Sequence, residues 1–389
     1  MKPRLCLFTD SLEPSGVGEH MLLLAHELKN QYRMAFVCPP SFHGAPFLER
    51  AAQDGMQTFA LRVENGTAAA HDELQLWLRS EQIAIFHGHA GIGWEGHAAV
   101  FAARRADVPH IVRTEHLPHL ITDEWQQTEH AALMQHVDRL LCVSDEARHT
   151  FLQAGIAPDQ VTTVRNGIRA PHRLAPDFSS LRAQLGLDST AKIALTVGRM
   201  TEQKGYRYLL EAVPRVLESA PQTHFLWAGE GELQNELRAR VCELGLENRV
   251  HFLGRREDVP QLLAACDLFV LPSLFEGLPL VVLEAMAMGV PVVGTRVCGT
   301  GEAVCDGETG RLVHPRDALA LANGVLEVLK NPQQALQWGE NGRARFALEF
   351  SASRMARETA AVYEEVLGRQ IDNRVLDGVL TAPLRLATV

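Results

Sequence analysis

Short apolar runs alternate with amphipathic stretches along most of this chain. In the first half the runs predict strands at 4–9, 34–38, 83–87, 110–114 and 139–143, with helices at 18–30 and 95–106 among the segments between them. The runs are continuously apolar instead of alternating, the mark of strands covered on both faces by helices, as in a parallel sheet. Turn chemistry then interrupts the rhythm over 166–188, with Asn166-Gly167, Pro171, Pro176 and the pair Ser179-Ser180. The rhythm restarts as strand 193–198, helix 205–219, strand 223–228, helix 232–244, strand 249–253, helix 258–265, strand 267–272, helix 279–288 and strand 291–294. Helical patterns at 316–330 and 352–369 follow, and the tail after Gln370 carries no pattern. The chain is therefore expected to be α/β, with two doubly wound, Rossmann-like domains over 1–170 and 171–355, and a C-terminal helix and tail over 356–389.

A length of 389 residues fits two domains. The net charge of −10 argues against nucleic acid as a partner. Seven scattered cysteines without a CxxC pair predict reduced thiols and a cytoplasmic setting. There is no apolar leader and no run long enough to cross a bilayer, so peripheral contact is the most membrane association expected.

Open parallel sheets bind ligands beyond the carboxyl ends of their strands. The richest such segment is 272–289, Pro-Ser-Leu-Phe-Glu-Gly-Leu-Pro-Leu-Val-Val-Leu-Glu-Ala-Met-Ala-Met-Gly. It follows a strand, Pro279 suits a first helical turn, and Gly289 then Pro291 read as the stop. Its free helical N–H groups make an anion site, flanked by Glu276 and Glu284. Glutamates near a helix start can be mere dipole partners. Glu284, however, lies in an apolar stretch and needs a hydroxyl or cation as partner. Eight helical residues span about 12 Å, too far for a glycosidase pair, whose carboxyls stand about 5–9.5 Å apart. After strand 193–198 come Gly198, Arg199 and Lys204, a fork and a point charge suited to a diphosphate, unless both are plain surface cations.

Near the N-terminus, Gly16 and Gly18 open a helix and would let backbone approach a phosphate. The dinucleotide fingerprint G-x-G-x-x-G fails there at Met21, and at Gly229-Glu230-Gly231 it fails at Gln234. Fourteen of the 17 histidines lie in the first 172 residues. His87 and His89 follow one strand, and His116 and His119 another. Zinc on His87 and His89 is an alternative without the usual H-E-x-x-H or Cys/His context. His116 is the better candidate to touch a reacting substrate, the other reading being a structural histidine. No G-x-S-x-G elbow or Walker A loop is present.

These motifs resemble glycosyltransferase family 4, retaining enzymes of the GT-B fold, whose glutamate-x7-glutamate motif is matched by Glu276 and Glu284. The likeness takes in Gly198-Arg199 with Lys204-Gly205, Gly229-Glu230-Gly231, Phe252-Leu253-Gly254, Asn166-Gly167 and Asp306-Gly307-x-Thr309-Gly310. The family often has adjacent glycines in its first loop; here they are split as Gly16-Val17-Gly18. The resemblance implies that Arg199 and Lys204 neutralise the donor diphosphate, and that Glu276 meets the donor sugar with the backbone of the segment Gly277, Leu278, Pro279 and Leu280 nearby. Of the four, Gly277, Leu278 and Leu280 supply N–H groups and Pro279, which has none, only shapes the turn. It implies that Glu284 accepts from ribose hydroxyls, the base lies near Gly254 and Arg255, and Gly16 or Gly18 closes over the phosphates. His116 would contact the sugar, and the C-terminal helix would pack back toward the first domain. No cofactor and no metal is implied, because Arg, Lys and the helix dipole carry the charge.

The expected function is retaining transfer of a hexose from a nucleotide sugar to a glycan or lipid-linked glycan. A UDP-sugar such as UDP-glucose is the first choice of donor and GDP-mannose the second. A UDP-sugar epimerase of the same architecture and a non-catalytic nucleotide-sugar-binding scaffold are the alternatives. Residues 1–170 hold 14 Lys+Arg against 20 Asp+Glu, which disfavours strong binding to anionic lipid. Loss of Lys204 or Arg199 is expected to cost rate with little loss of fold.

Overall fold

The computed structural model describes residues 2–91, 94–171, 182, 186–188 and 190–368. Most of the predicted linker between 172 and 189, and the tail from residue 369 onward, lie outside the described residues. The first sheet is built from β1 (Arg4–Phe8), β2 (Arg33–Cys38), β3 (Gln57–Ala60), β4 (Ile85–Ala90), β5 (His110–Glu115), β6 (Arg139–Cys142) and β7 (Val161–Thr163). They are all parallel, in the order β3-β2-β1-β4-β5-β6-β7. The helices between them are α1 (Ser15–Leu28), α2 (Ala45–Gln53), α3 (Thr67–Ser80), α4 (His97–Arg105), α5 (Glu124–Met134) and α6 (Asp145–Gln153).

The second sheet has β8 (Lys192–Val197), β9 (Thr223–Ala228), β10 (Val250–Gly254), β11 (Leu268–Leu271), β12 (Val292–Thr295) and β13 (Gly310–Val313), in the order β10-β9-β8-β11-β12-β13. It too is wholly parallel. Its helices are α7 (Tyr206–Ser219), α8 (Gln234–Glu243), α9 (Val259–Ala265), α10 (Leu280–Met288), α11 (Thr300–Ala303), α12 (Ala318–Lys330) and α13 (Pro332–Glu349); α14 (Ala352–Val366) follows. The chain is thus α/β with two Rossmann-like domains.

Each sheet is covered on both faces, which is why the sequence runs were continuously apolar. Cys6, Phe8, Phe86 and Leu140 face one core of the first sheet, and Leu5, Leu7, Phe36 and Ile85 face the other. The second core also takes in Met355, Ala360, Val362 and Tyr363 of α14. The chain therefore crosses to the second domain and returns, and the two crossings are stitched together. Ile168 N–H donates to Phe350 O at 2.9 Å and Ala352 N–H to Ile168 O at 2.9 Å.

The predicted strand 83–87 moves to Ile85–Ala90. His87, Gly88 and His89 read as a polar exit, yet the whole strand is buried. The structure adds β3, β7 and β13, which are edge strands of three or four residues and too short to form an apolar run. No helix of the described residues is long and apolar enough to cross a membrane.

Candidate active site

In both sheets the chain reverses direction of winding next to the first strand. In the second sheet this switch lies between β8 and β11. The loop 198–205 leaves β8 and the loop 272–279 leaves β11, so they meet beyond the strand ends, where α/β folds place ligands. The two loops are bonded: Leu274 N–H donates to Gln203 O at 2.7 Å, and Gln203 Nε2 to Phe275 O at 3.1 Å. Gly205 sits at φ +67°, and a Cβ on it would stand 2.0 Å from Pro272 O. Only glycine allows that approach.

The junction brings Lys204 Nζ to 2.5 Å from Glu276 Oε1, which also accepts from Ser273 Oγ at 2.6 Å. Glu276 is 4% exposed. Its Oε2 has no partner among the described residues. Gly229 and Gly231, the failed dinucleotide glycines, pack on this loop: a Cβ at Gly229 would stand 2.0 Å from Gly198 O, and one at Gly231 2.6 Å from Met200 O.

α10 begins beside Glu276. Pro279 is its N-cap, one residue before the helix and not within it, and Gly289 ends it at φ +76°. The N–H groups of Gly277, Leu278 and Leu280 have no acceptor among the described residues. Glu284, one turn inside, has no hydrogen bond or ion pair there either. Burial, with the negative charge of Glu19 on α1 adding to it, pushes its carboxyl up to about 7. The folded state therefore holds this proton more tightly than the unfolded chain, whose value is 4.5. Stability is lost as pH rises through that window and the penalty is complete above it. Glu284→Gln should accordingly be more stable than the parent by about 1–3 kcal/mol at pH 8 and by little at pH 5. Denaturant titration at the two pH values checks this; a difference that does not change with pH would show that the carboxyl titrates alike in the folded and unfolded chain.

Across the cleft, α1 starts at Ser15, so Gly16 and Gly18 lie within its first turn and not in a loop before it. They differ. A Cβ at Gly18 would stand 2.6 Å from the Phe47 ring, whereas nothing lies within 4 Å of one at Gly16. Gly18 is a packing glycine, and Gly16 is the one with open space. His116 follows β5, and its carbonyl touches the second domain: a Cβ at Gly277 would stand 1.8 Å from His116 O. Asn166 Nδ2 donates to Leu278 O at 2.7 Å and its Oδ1 meets His20 Nδ1 at 3.0 Å.

The sequence reading missed His20, Asn166 as a bridge, Ser273 and Glu19. None shows as a motif, since each becomes local only through contacts 100 or more residues away or within a loop. His87 is turned into the core, with Nδ1 2.5 Å from Tyr363 Oη and Nε2 2.7 Å from Thr114 Oγ1. Both its ring nitrogens are used, so His87 and His89 do not form the considered metal pair. His119 leaves the cleft and packs edge-on against Phe151.

The remaining predicted cations reach across the cleft mouth. Arg199 Nη1 lies 3.4 Å from Glu13 Oε2, and Arg255 Nη1 lies 3.2 Å from His43 Nδ1. These side chains are 37% exposed or more where they form ion pairs, so such latches are worth about 0–1 kcal/mol. A firmer link lies behind them: Glu302 binds Arg165 and accepts from Asp145 N–H at 2.7 Å, at the start of α6.

Residues 14–170 match the family model described as Glycosyltransferase Family 4, and residues 177–345 match that of Glycosyl transferases group 1. In an alignment of 404 positions the chain is 32% identical to alpha-maltose-1-phosphate synthase of Mycolicibacterium smegmatis, covering 93% of this chain and 99% of that protein. The chain is a family 4 glycosyltransferase. This glycosyltransferase is also 30% identical, over 64% of its length and 67% of the other's, to the Escherichia coli UDP-Gal:alpha-D-GlcNAc-diphosphoundecaprenol alpha-1,3-galactosyltransferase. Among solved structures, Anabaena HepE in complex with UDP-glucose superposes with a TM-score of 0.81 at 23% identity, covering 94% of this chain and 100% of that one. The glycosyltransferase thus has the GT-B architecture of its structural neighbours.

Proposed function

We propose that the protein is a retaining, metal-independent hexosyltransferase that uses a nucleotide-diphosphate sugar. The observation that carries this is the Lys204–Glu276 pair, whose carboxylate is buried and which stands beside the start of α10 at the sheet's switch point. In this reading Lys204, Arg199 and the helix N-terminus hold the diphosphate as it leaves. Arg199 exchanges Glu13 for phosphate oxygens, and Gly16 lets α1 approach from the opposite wall. Glu276 keeps Oε2 for a hydroxyl of the sugar, beside His116. Glu284 accepts from the ribose, whose hydroxyls supply the partners it lacks. The base lies along Gly254 and Arg255.

Catalysis then rests on positioning and on charge stabilisation in a closed cleft. A departing diphosphate oxygen takes the proton of the attacking hydroxyl on the same face, so configuration is retained without a side-chain nucleophile. UDP-sugars are the favoured donors, UDP-glucose first. The galactosyltransferase relative carries UDP-Gal in its name and the HepE structure holds UDP-glucose. GDP-mannose stands second, with a Rhizobium meliloti mannosyltransferase among the relatives. The acceptor is a glycan or lipid-linked glycan, reached from the first domain, with at most peripheral membrane contact in the cytoplasm.

Calorimetric titration without added metal against UDP, GDP, ADP and their sugars tests the donor. UDP and UDP-glucose are expected to bind, with UDP at least tenfold weaker in Glu284→Ala. Binding of the GDP series alone would move the donor to GDP-mannose. Silence across the panel would overturn the nucleotide-sugar reading.

A further inference from the structure

Three imidazoles converge at the inner end of the cleft from three separate elements. His20 comes from α1, His89 from β4, and His116 directly follows β5, where its N–H donates to Ala90 O at 2.9 Å. Their ring centroids are 4.7–5.5 Å apart. One ring nitrogen from each lies within 4.8 Å of the other two. His20 and His89 are buried, and His116 is partly so.

The hydrogen bonding fixes what they offer. Asn166 uses Nδ2 on Leu278 O, so its Oδ1 is left to accept, and His20 Nδ1 must carry the proton. His20 Nε2 is therefore a bare lone pair, oriented by a bonded amide in the way that outer-shell groups orient metal-binding histidines. His89 Nδ1 and His116 Nε2 face one another at 3.2 Å. That is close to the edge between two imidazole nitrogens on a tetrahedral zinc with Zn–N of about 2.0–2.1 Å. His89 Nε2, the ring nitrogen not paired with His116, is buried without a partner.

The geometry points to a three-histidine site for a zinc-class divalent cation, formed by His20, His89 and His116. Three neutral imidazoles suit zinc, cobalt, nickel or copper and not magnesium or calcium. Of the three only His116 is partly exposed, and its carbonyl lies against Gly277 in the loop before α10. On the functional reading above, that is where the donor sugar lies, so an occupied site would block transfer instead of assisting it.

The test is titration of chelator-stripped full-length protein with Co²⁺, followed by visible absorption. One equivalent is expected to give the intense bands of four-coordinate cobalt, displaced by Zn²⁺. His89→Ala should weaken cobalt by about 100-fold or more, beyond the 10–100-fold typical of losing an outer-shell partner. His20→Ala, on the face of a helix, gives the same readout if the His89 variant does not fold. His251→Ala is the control, because His251 and His224 also meet at 3.0 Å but as a pair only. No such bands in the folded parent, or bands that persist in His20→Ala and vanish in His251→Ala, would overturn the site. Cobalt binding without any nucleotide binding would leave this site standing and fell the transferase reading. Nucleotide binding without cobalt would do the reverse.

Discussion

Replacing Lys204 by alanine is expected to lower kcat/KM for transfer by about 100- to 1,000-fold, the usual cost of one charge-stabilising group. The sequence alone suggests a purely kinetic effect. The structure adds a second one, because Lys204 neutralises a carboxylate that is almost fully buried. Breaking a buried pair from one side strands the other charge, at a cost of about 3–5 kcal/mol. Ser273 remains to Glu276 and water can enter, so the lower end is expected. The double variant Lys204→Ala with Glu276→Gln removes the stranded charge. It should recover most of the stability and none of the activity. Steady-state rates with thermal unfolding of parent, singles and double separate the two effects. A single variant that keeps its rate within threefold, or a double no more stable than Lys204→Ala, would remove the pair from the site.

The second large effect is expected at Gly277. A methyl there would stand 1.8 Å from His116 O and 2.9 Å from Val143 Cγ2, and both belong to the other domain. On the far side, Gly299 lies against Gly277 O, where a Cβ would come within 1.6 Å. The residue is clamped between backbones that have no room to give. Gly277→Ala should therefore either cost about 3 kcal/mol or more or force the domains apart. Small-angle scattering would show separation as a larger radius of gyration, and nucleotide affinity should fall with it. Gly301→Ala, whose nearest neighbour would be 3.8 Å away, is the matched control and should change little. Parent-like stability and shape for Gly277→Ala would mean that the domains do not meet at this point in solution.

Legibility differed between the two halves for physical reasons. In the second domain the core of β8 (Ile193-Ala194-Leu195) and all of β11 are apolar runs, and Gly198, Gly205, Pro279 and Gly289 punctuate the loops that carry the charges. Lys204 and Glu276 were therefore readable as ligand-side residues before any contact was known. The contact itself was not, since it depends on β8 and β11 being neighbours. In the first domain His87 and His89 looked equivalent, both polar at a strand end. Tyr363, 276 residues away, separates them by occupying one ring. Likewise Gly16 and Gly18 could not be ranked until the Phe47 ring was found against one of them. Local patterning gives elements and loop chemistry; assignments that rest on a partner from a distant element wait for the topology.

The return of α14 to the first domain has a consequence for synthesis. Met355, Ala356, Ala360, Val362 and Tyr363 complete a core whose other members lie between Leu5 and Val164. The last strand of the first sheet ends at Thr163 and α14 ends at Val366. At ribosomal speeds of 5–20 residues per second, those segments emerge roughly 10–40 s apart. Throughout that interval the nascent first domain presents an unfilled apolar seam along α1, and the second domain, whose core runs to Phe350, is made before α14 has emerged. The earlier-made domain is thus the later one to mature, and α14 acts as the latch on its assembly.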